Sequence, residues 1–258
     1  MCLALIAHRM HPRFPLVLAA NRDEFHARPA AALHWWTEGA PLLAGRDLEA
    51  GGAWCGVDRR GRLALVTNYR DPSLPRPQGS SRGELIPEFL RGERGALEFV
   101  RDVAARAARY AGFSLLVRDE TGLGYVVSHP EPEALLLPPG IYGLSNLRLD
   151  TPWPKLLKSR AALAAEMAER EPRTGQLFAL LSDRSQPDDG DLPDTGIGLA
   201  SERLLSSAFI VSPAYGTRCC TVVIAGPGDR IAVEERRHAT DGGVSGRTRI
   251  VFHAAPSR

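Results

Sequence analysis

The second residue of the chain is a cysteine, and that position can give it unusual chemistry. Removal of Met1 is usual before a small residue, and Cys2 is small enough. One residue would then carry both a thiol and a free α-amine. Such an amine titrates near pKa ~7.7–8.0, so it can act as a base at neutral pH. A thiol needs a base to become the thiolate that attacks a carbonyl. Nucleophile and base on one residue is N-terminal-nucleophile chemistry. Taken by itself, Cys2 reads more simply as a small apolar residue at a strand start.

Other residues gather meaning around it. The cluster Asn21-Arg22-Asp23-Glu24 follows an apolar run, Leu16 to Ala20. Asp23 could hold the Cys2 amine in place and tune it, or make a buried turn hydrogen bond. Arg22 and Glu24 read either as site residues or as a surface ion pair worth ~0–1 kcal/mol. Asn68 and Asn146 each end an apolar strand, where a side-chain amide can donate to a developing oxyanion. The plain alternative for both is turn capping. Arg218 lies among apolar strand residues and needs a partner if buried, either Asp23 or an acidic group on a substrate. The histidines His8, His11, His26 and His34 could ligate haem, but scattered histidines are ordinarily surface or core residues.

These side chains need a frame. Cys2 to Ala7 reads as a strand, His11-Pro12-Arg13 as a turn and Leu16 to Ala20 as a second strand, so hairpin pairing returns the polar cluster to the start of the chain. The segment from Pro29 to Pro41 holds Trp35-Trp36, read as core. The glycines of 51–56 predict a tight bend with close backbone approach. Gly61 to Asn68 is a strand, and 71–78 is a loop with three prolines. Ser81 with Glu84 forms a capping box for a short helix to about Leu90. A helix over 96–110 follows. Strands are expected at 113–117, 125–127 and 141–146, with 130–139 as a loop. Helices are expected from Pro154 through Met167 and over 176–181. Ser182 to Ser201 reads as a mobile loop. Strands are expected at 209–211, 218–225, 231–235 and 247–253. Strands at both ends with helices between argue for one α+β domain spanning 1–258, with largely antiparallel sheet.

Composition excludes several classes. The 258 residues are 44% hydrophobic and 24% charged, ordinary for a globular protein. The formal net charge of +2 gives no field that points to nucleic acid. Among the basic residues only Lys155 and Lys158 are lysines, read as codon usage. The cysteines Cys2, Cys55, Cys219 and Cys220 show no CxxC spacing, so no zinc site of the usual kind and no cofactor are expected. No stretch approaches ~20 apolar residues, so no membrane span is expected. The opening run is too short and too interrupted for a signal peptide, and a cytoplasmic location follows as the default.

The blocks MCLALIA, LAANRDEFHARP, GGAWCGV, LVTNYRD, SRGEL, YGLSN before TPWPK, and YGTRCCTVV resemble the NRDE family, also called the transport and Golgi organisation protein 2 family. The resemblance runs in order over almost the whole chain. It implies a four-layer αββα sandwich of the N-terminal-nucleophile hydrolase type. More distantly, the chain is similar to the choloylglycine hydrolase and acid ceramidase amidases, which attack an amide carbon with an N-terminal cysteine. By that resemblance Asn21 and Asp23 match their Asn-x-Asp, Asn146 their oxyanion-hole asparagine and Arg218 their late arginine. The amidases place an arginine just before Asn-x-Asp, where this chain has Ala20. Arg22 is then expected on the other strand face, unable to stand in for it.

Two functions follow. One is hydrolysis or transfer of an acyl group at a linear amide or thioester. In it Cys2 is nucleophile and its amine the base. Asn146 is an oxyanion donor and Asp23 and Arg218 are organisers, while Asn21, Arg22 and Asn68 contact substrate. The other is a carrier that binds haem or an acyl ligand, such as an acyl-CoA, without turnover.

Overall fold

The computed structural model describes residues 3–74, 79–169 and 171–255. In chain order the strands and helices are β1 (Leu3–His8), β2 (Leu16–Phe25), β3 (Ala30–Trp36), β4 (Leu42–Asp47), β5 (Cys55–Asp58), β6 (Leu63–Asn68), α1 (Leu85–Arg91) and α2 (Ala96–Ala105). Then come β7 (Phe113–Arg118), β8 (Leu123–Val127), β9 (Glu133–Leu137), β10 (Gly140–Leu144), α3 (Pro154–Met167) and α4 (Thr174–Leu181). The chain closes with α5 (Leu199–Leu205), β11 (Tyr215–Gly226), β12 (Arg230–His238) and β13 (Val244–His253).

The strands form two antiparallel sheets. One has the order β10-β1-β2-β11-β12-β13 and the other runs β3 to β9 in sequence order. Side chains alternate across a strand, and here both faces of the central strands are covered. Ala4, Ile6, Leu16 and Leu18 face the other sheet and meet Leu43, Leu65 and Leu116. Leu3, Leu5, Val17 and Ala19 face outward, under Leu156, Leu163 and Phe178 of α3 and α4. On the far side α1 and α2 lay Phe89, Phe99 and Val103 against Ala64, Leu115 and Val117. The result is a four-layer αββα sandwich. Burial on both faces is why β1 reads as an unbroken apolar run rather than an alternating one.

Several elements differ from the sequence expectation. β2 continues through the polar cluster to Phe25, so Asn21 to Glu24 lie inside the strand. Its ladder with β11 carries it on, Asp23 standing opposite Thr217. β5 and β9 form where a bend and a loop are expected, and β3 and β4 in stretches given no element; their apolar stretches are short, and pairing with neighbours specifies them more than their own pattern does. Residues 209–211 are not a strand: the Phe209 N–H donates to Asp183 O and that of Ile210 to Thr217 Oγ1, outside any ladder. The stretch read as mobile ends in α5. The expected bend at Gly52 is present, packed so closely on Gly83 that a Cβ would sit 2.5 Å from the Gly83 carbonyl carbon. Trp36 is core, and Trp35 packs partly buried against the inter-sheet cluster. Among the described residues no helix is long and apolar enough to cross a membrane.

Candidate active site

The start of β1 is flanked on both sides by the residues of interest. Leu3 stands opposite Asn21 of β2, and Ala4 stands opposite Leu144 of β10. Asn146 follows Leu144 by two residues. Cys2, which precedes Leu3 in sequence, lies outside the described residues.

Alternation along β2 divides the cluster between two faces. Asn21 is buried on the helix side, where its Nδ2 donates to Leu181 O at 2.8 Å and Ala208 O at 2.7 Å. It ties the end of α4 and the approach to β11 beneath the sheet. Asp23 is buried, and its Oδ1 accepts from Thr217 Oγ1 at 2.6 Å. Arg22 points between the sheets. Its Nη2 donates to Asp47 at 3.1 Å, and its guanidinium lies 4.4 Å from the Trp54 ring centre. Nη1 of Arg22 is buried with no hydrogen-bond partner among the described residues. Asp47 also accepts from Arg28 Nε at 2.7 Å. Burial works against its charge, yet the Arg28 hydrogen bond and the N–H groups of Ala50 and Glu49 outweigh it and hold the carboxyl below its usual range.

The expectation that Arg22 faces away from the Ala20 position is corrected. Positions 20 and 22 are two apart on one strand and share a face. Ala20 belongs to the inter-sheet cluster, and so does the Trp54 on which Arg22 stacks.

Asn146 holds a left-handed backbone, φ 54°, which asparagine tolerates better than most residues. Two bonds clamp it to the end of β6. Its Nδ2 donates to Asn68 O at 3.2 Å, and its own carbonyl accepts from the Arg70 N–H at 2.6 Å. Asn68 and Asn146 line a cavity of about 470 Å³ together with Tyr69, Arg70, Arg82 and Tyr215. Asn68 and Arg82 also line a hollow of about 130 Å³ that reaches Arg22, Asp47 and Trp54. Asn68 and Arg82 thus border both hollows, and amides with arginines on a cavity wall are a setting that can stabilise negative charge on a bound carbonyl.

Arg218 is elsewhere. Its Nη1 donates to the carbonyls of Phe25, His26 and Arg28 at the β2–β3 turn. It lines a hollow of about 170 Å³ with Cys219, Glu235, Arg22 and Trp54, the last two of which also line the 130 Å³ hollow. Asn68 and Asn146 therefore lie at the cleft and Asn21 and Asp23 beneath the sheet, while Arg22 stands between the hollow it shares with Asn68 and the one it shares with Arg218 at the turn.

The thiols are unequal. Burial pushes Cys55 up to about 12, with Glu235 adding to it. Burial likewise raises Cys219 and Cys220 well above the ordinary thiol range, helped by Glu235 for the first and Asp23 for the second. Burial therefore works against thiolate formation at all three.

Arg82, Tyr69, Tyr215 and Ile197 line the cleft and were not singled out from the sequence. Arg82 sits inside the block SRGEL, read only as a helix start although it contributed to the family resemblance. The others are brought in by loops whose approach depends on tertiary packing.

A model of the family described as Transport and Golgi organisation 2 matches residues 1–240. The Transport and Golgi organization protein 2 homologue of Bos taurus is 36% identical over 91% of this chain and 92% of its own length. The homologue of Homo sapiens is 34% identical, again over 91% and 92%. Among solved structures, a cysteine-to-alanine mutant of the conjugated bile acid hydrolase from Clostridium perfringens superposes with a TM-score of 0.51 at 8% identity, covering 100% of this chain and 99% of that one.

Proposed function

As the chain belongs to the Transport and Golgi organisation 2 family, we propose that it cleaves or transfers an acyl group at a linear amide or thioester, with Cys2 as the nucleophile. The observation that carries this reading is the Asn146–Asn68 pair lining a cavity beside the strand that begins at Leu3. The buried state of the other three thiols supports it, because cysteine chemistry at neutral pH then falls to Cys2.

The steps follow from the groups. With Met1 removed, the Cys2 amine takes the thiol proton and the thiolate attacks the carbonyl carbon. Negative charge gathers on the carbonyl oxygen, and the Asn146 amide donates to it. Collapse expels the amine or thiol, which leaves with the proton the Cys2 amine had taken. An acyl thioester on Cys2 remains, and water or another acceptor releases it. Asp23 and Arg218 act as positioning residues, Asp23 through the β2–β11 pairing and Arg218 through the β2–β3 turn. Asn68 and Arg22 contact substrate from the cleft wall. Asn21 acts from below, anchoring the layer under β2.

The test is turnover of a panel of acyl amides and acyl thioesters by wild type and Cys2→Ala, with haem and acyl-CoA titrations alongside. Turnover in wild type that falls to background in Cys2→Ala is expected. Turnover that persists in Cys2→Ala sinks the nucleophile. Saturable binding with no turnover in wild type favours the carrier for the ligands tried.

A further inference from the structure

We propose that Ile197 sets the size of the apolar group the cleft admits, as the tip of a latched wall over the cavity. The inference rests on the acyl-transfer reading for the chemistry at Cys2, but not for the geometry of the wall.

Ile197 lines the same cavity as Asn146, together with Pro72, Leu74, Ala111 and Leu205. The cavity therefore has a polar end at the asparagines and an apolar side formed by these residues. Ile197 is the apolar lining residue set between two left-handed glycines, Gly196 at φ 80° and Gly198 at φ 81°. Other residues adopt that backbone only at a cost, so this short segment is shaped by glycine and carries one bulky side chain between its pivots. It passes close to the loop after β6: a Cβ at Gly196 would lie 3.5 Å from Pro72 Cγ.

The segment is held by Glu202 of α5, which is buried. Its Oε1 accepts from the Thr195 N–H at 2.8 Å and from Thr195 Oγ1 at 2.6 Å. Its Oε2 accepts from Arg70 Nη1 at 3.1 Å. Arg70 in turn stacks over Trp153 and gives its own N–H to the Asn146 carbonyl. One carboxylate thus links the wall that carries Ile197 to the loop that holds Asn146. The position of the tip relative to the polar end is fixed by that link, so side-chain volume at 197 translates into a limit on ligand length.

The experiment uses N-alkyl iodoacetamides from methyl to dodecyl on the full chain. Alkylation of Cys2 is followed by peptide mapping, so no natural substrate is needed. Ile197→Ala should raise the rate for long chains relative to short ones by about tenfold, the scale of one or two methylenes in an apolar pocket. Ile197→Trp should shift the preference toward short chains. Glu202→Gln, which keeps the shape but weakens the latch, should relax the preference in the same direction as Ile197→Ala. Chain-length profiles unchanged within twofold in all three variants, with Cys2 still labelled, overturn the inference and leave the Cys2 reading standing. No labelling of Cys2 by unsubstituted iodoacetamide in wild type defeats the Cys2 reading, and this inference with it.

Discussion

Asn146 donates its side-chain amide to the backbone carbonyl of Asn68, 3.2 Å away, so the last residue of β6 fixes the orientation of a left-handed asparagine that lines the same cavity. The backbone and the amide of Asn146 make separate contributions, and substitutions can separate them. Asn146→Gly suits the left-handed backbone but lacks the amide. It should retain most stability and lose about 10²–10³ in acylation rate. Asn146→Ala should lose the same rate and about 1 kcal/mol of stability besides. Alkylation of Cys2 develops no oxyanion, so its rate should change little in either variant. Thermal melts, acylation by an activated ester and alkylation by iodoacetamide read the three effects. Equal loss in acylation and alkylation would show a damaged fold rather than a lost donor.

Cys2 should react first. Limited alkylation near neutral pH, followed by peptide mapping, should label Cys2 well before Cys55, Cys219 or Cys220, whose thiols burial raises. Intact mass should show Met1 absent. A uniformly retained Met1 leaves Cys2 without a free amine and rules out the base, though not the fold.

Much of this frame was legible in the residues. The hairpin between the first two strands and the strand end at Asn68 follow from apolar runs broken by polar residues, whereas β10 stops at Leu144, two residues short of the end expected at Asn146. The face of Arg22 was misread, although period-two alternation from Ala20 assigns it to the inter-sheet side. What the sequence could not supply was the meeting of loops. Arg82 arrives because Gly83 packs on Gly52, and Ile197 arrives because Glu202 reaches Arg70. Both contacts span long sequence separations and leave no local pattern.

Arg22 and Asp47 should respond unequally to removal. Arg22→Met keeps an apolar stem against Trp54, and Asp47 keeps Arg28, so the cost should be about 1 kcal/mol. Asp47→Ala leaves the buried Arg22 guanidinium without its carboxylate, and breaking such a pair costs about 3–5 kcal/mol. Urea denaturation of the two variants compares them directly. Equal costs would mean that the ion pair adds nothing beyond packing.

His8 supplies a pH dependence of folding with a definite sign. Burial, then the charges of Arg9 and Arg118, lower it from 6.5 to about 4. The unfolded chain therefore binds a proton in a range where the folded chain does not. The contribution of His8 is fully present above pH 6.5 and is lost as pH falls toward 4. Across that range the loss should reach about 3 kcal/mol at most, since each pH unit of difference corresponds to ~1.4 kcal/mol. His8→Leu removes the titration while other acid-sensitive groups, such as Asp47, are common to both proteins. Urea midpoints of wild type and variant, measured at pH 7.5 and at pH 4.5, isolate the term. Relative to the variant, wild type should lose about 2–3 kcal/mol between the two conditions. Parallel pH profiles would show that His8 is protonated inside the fold as readily as outside it.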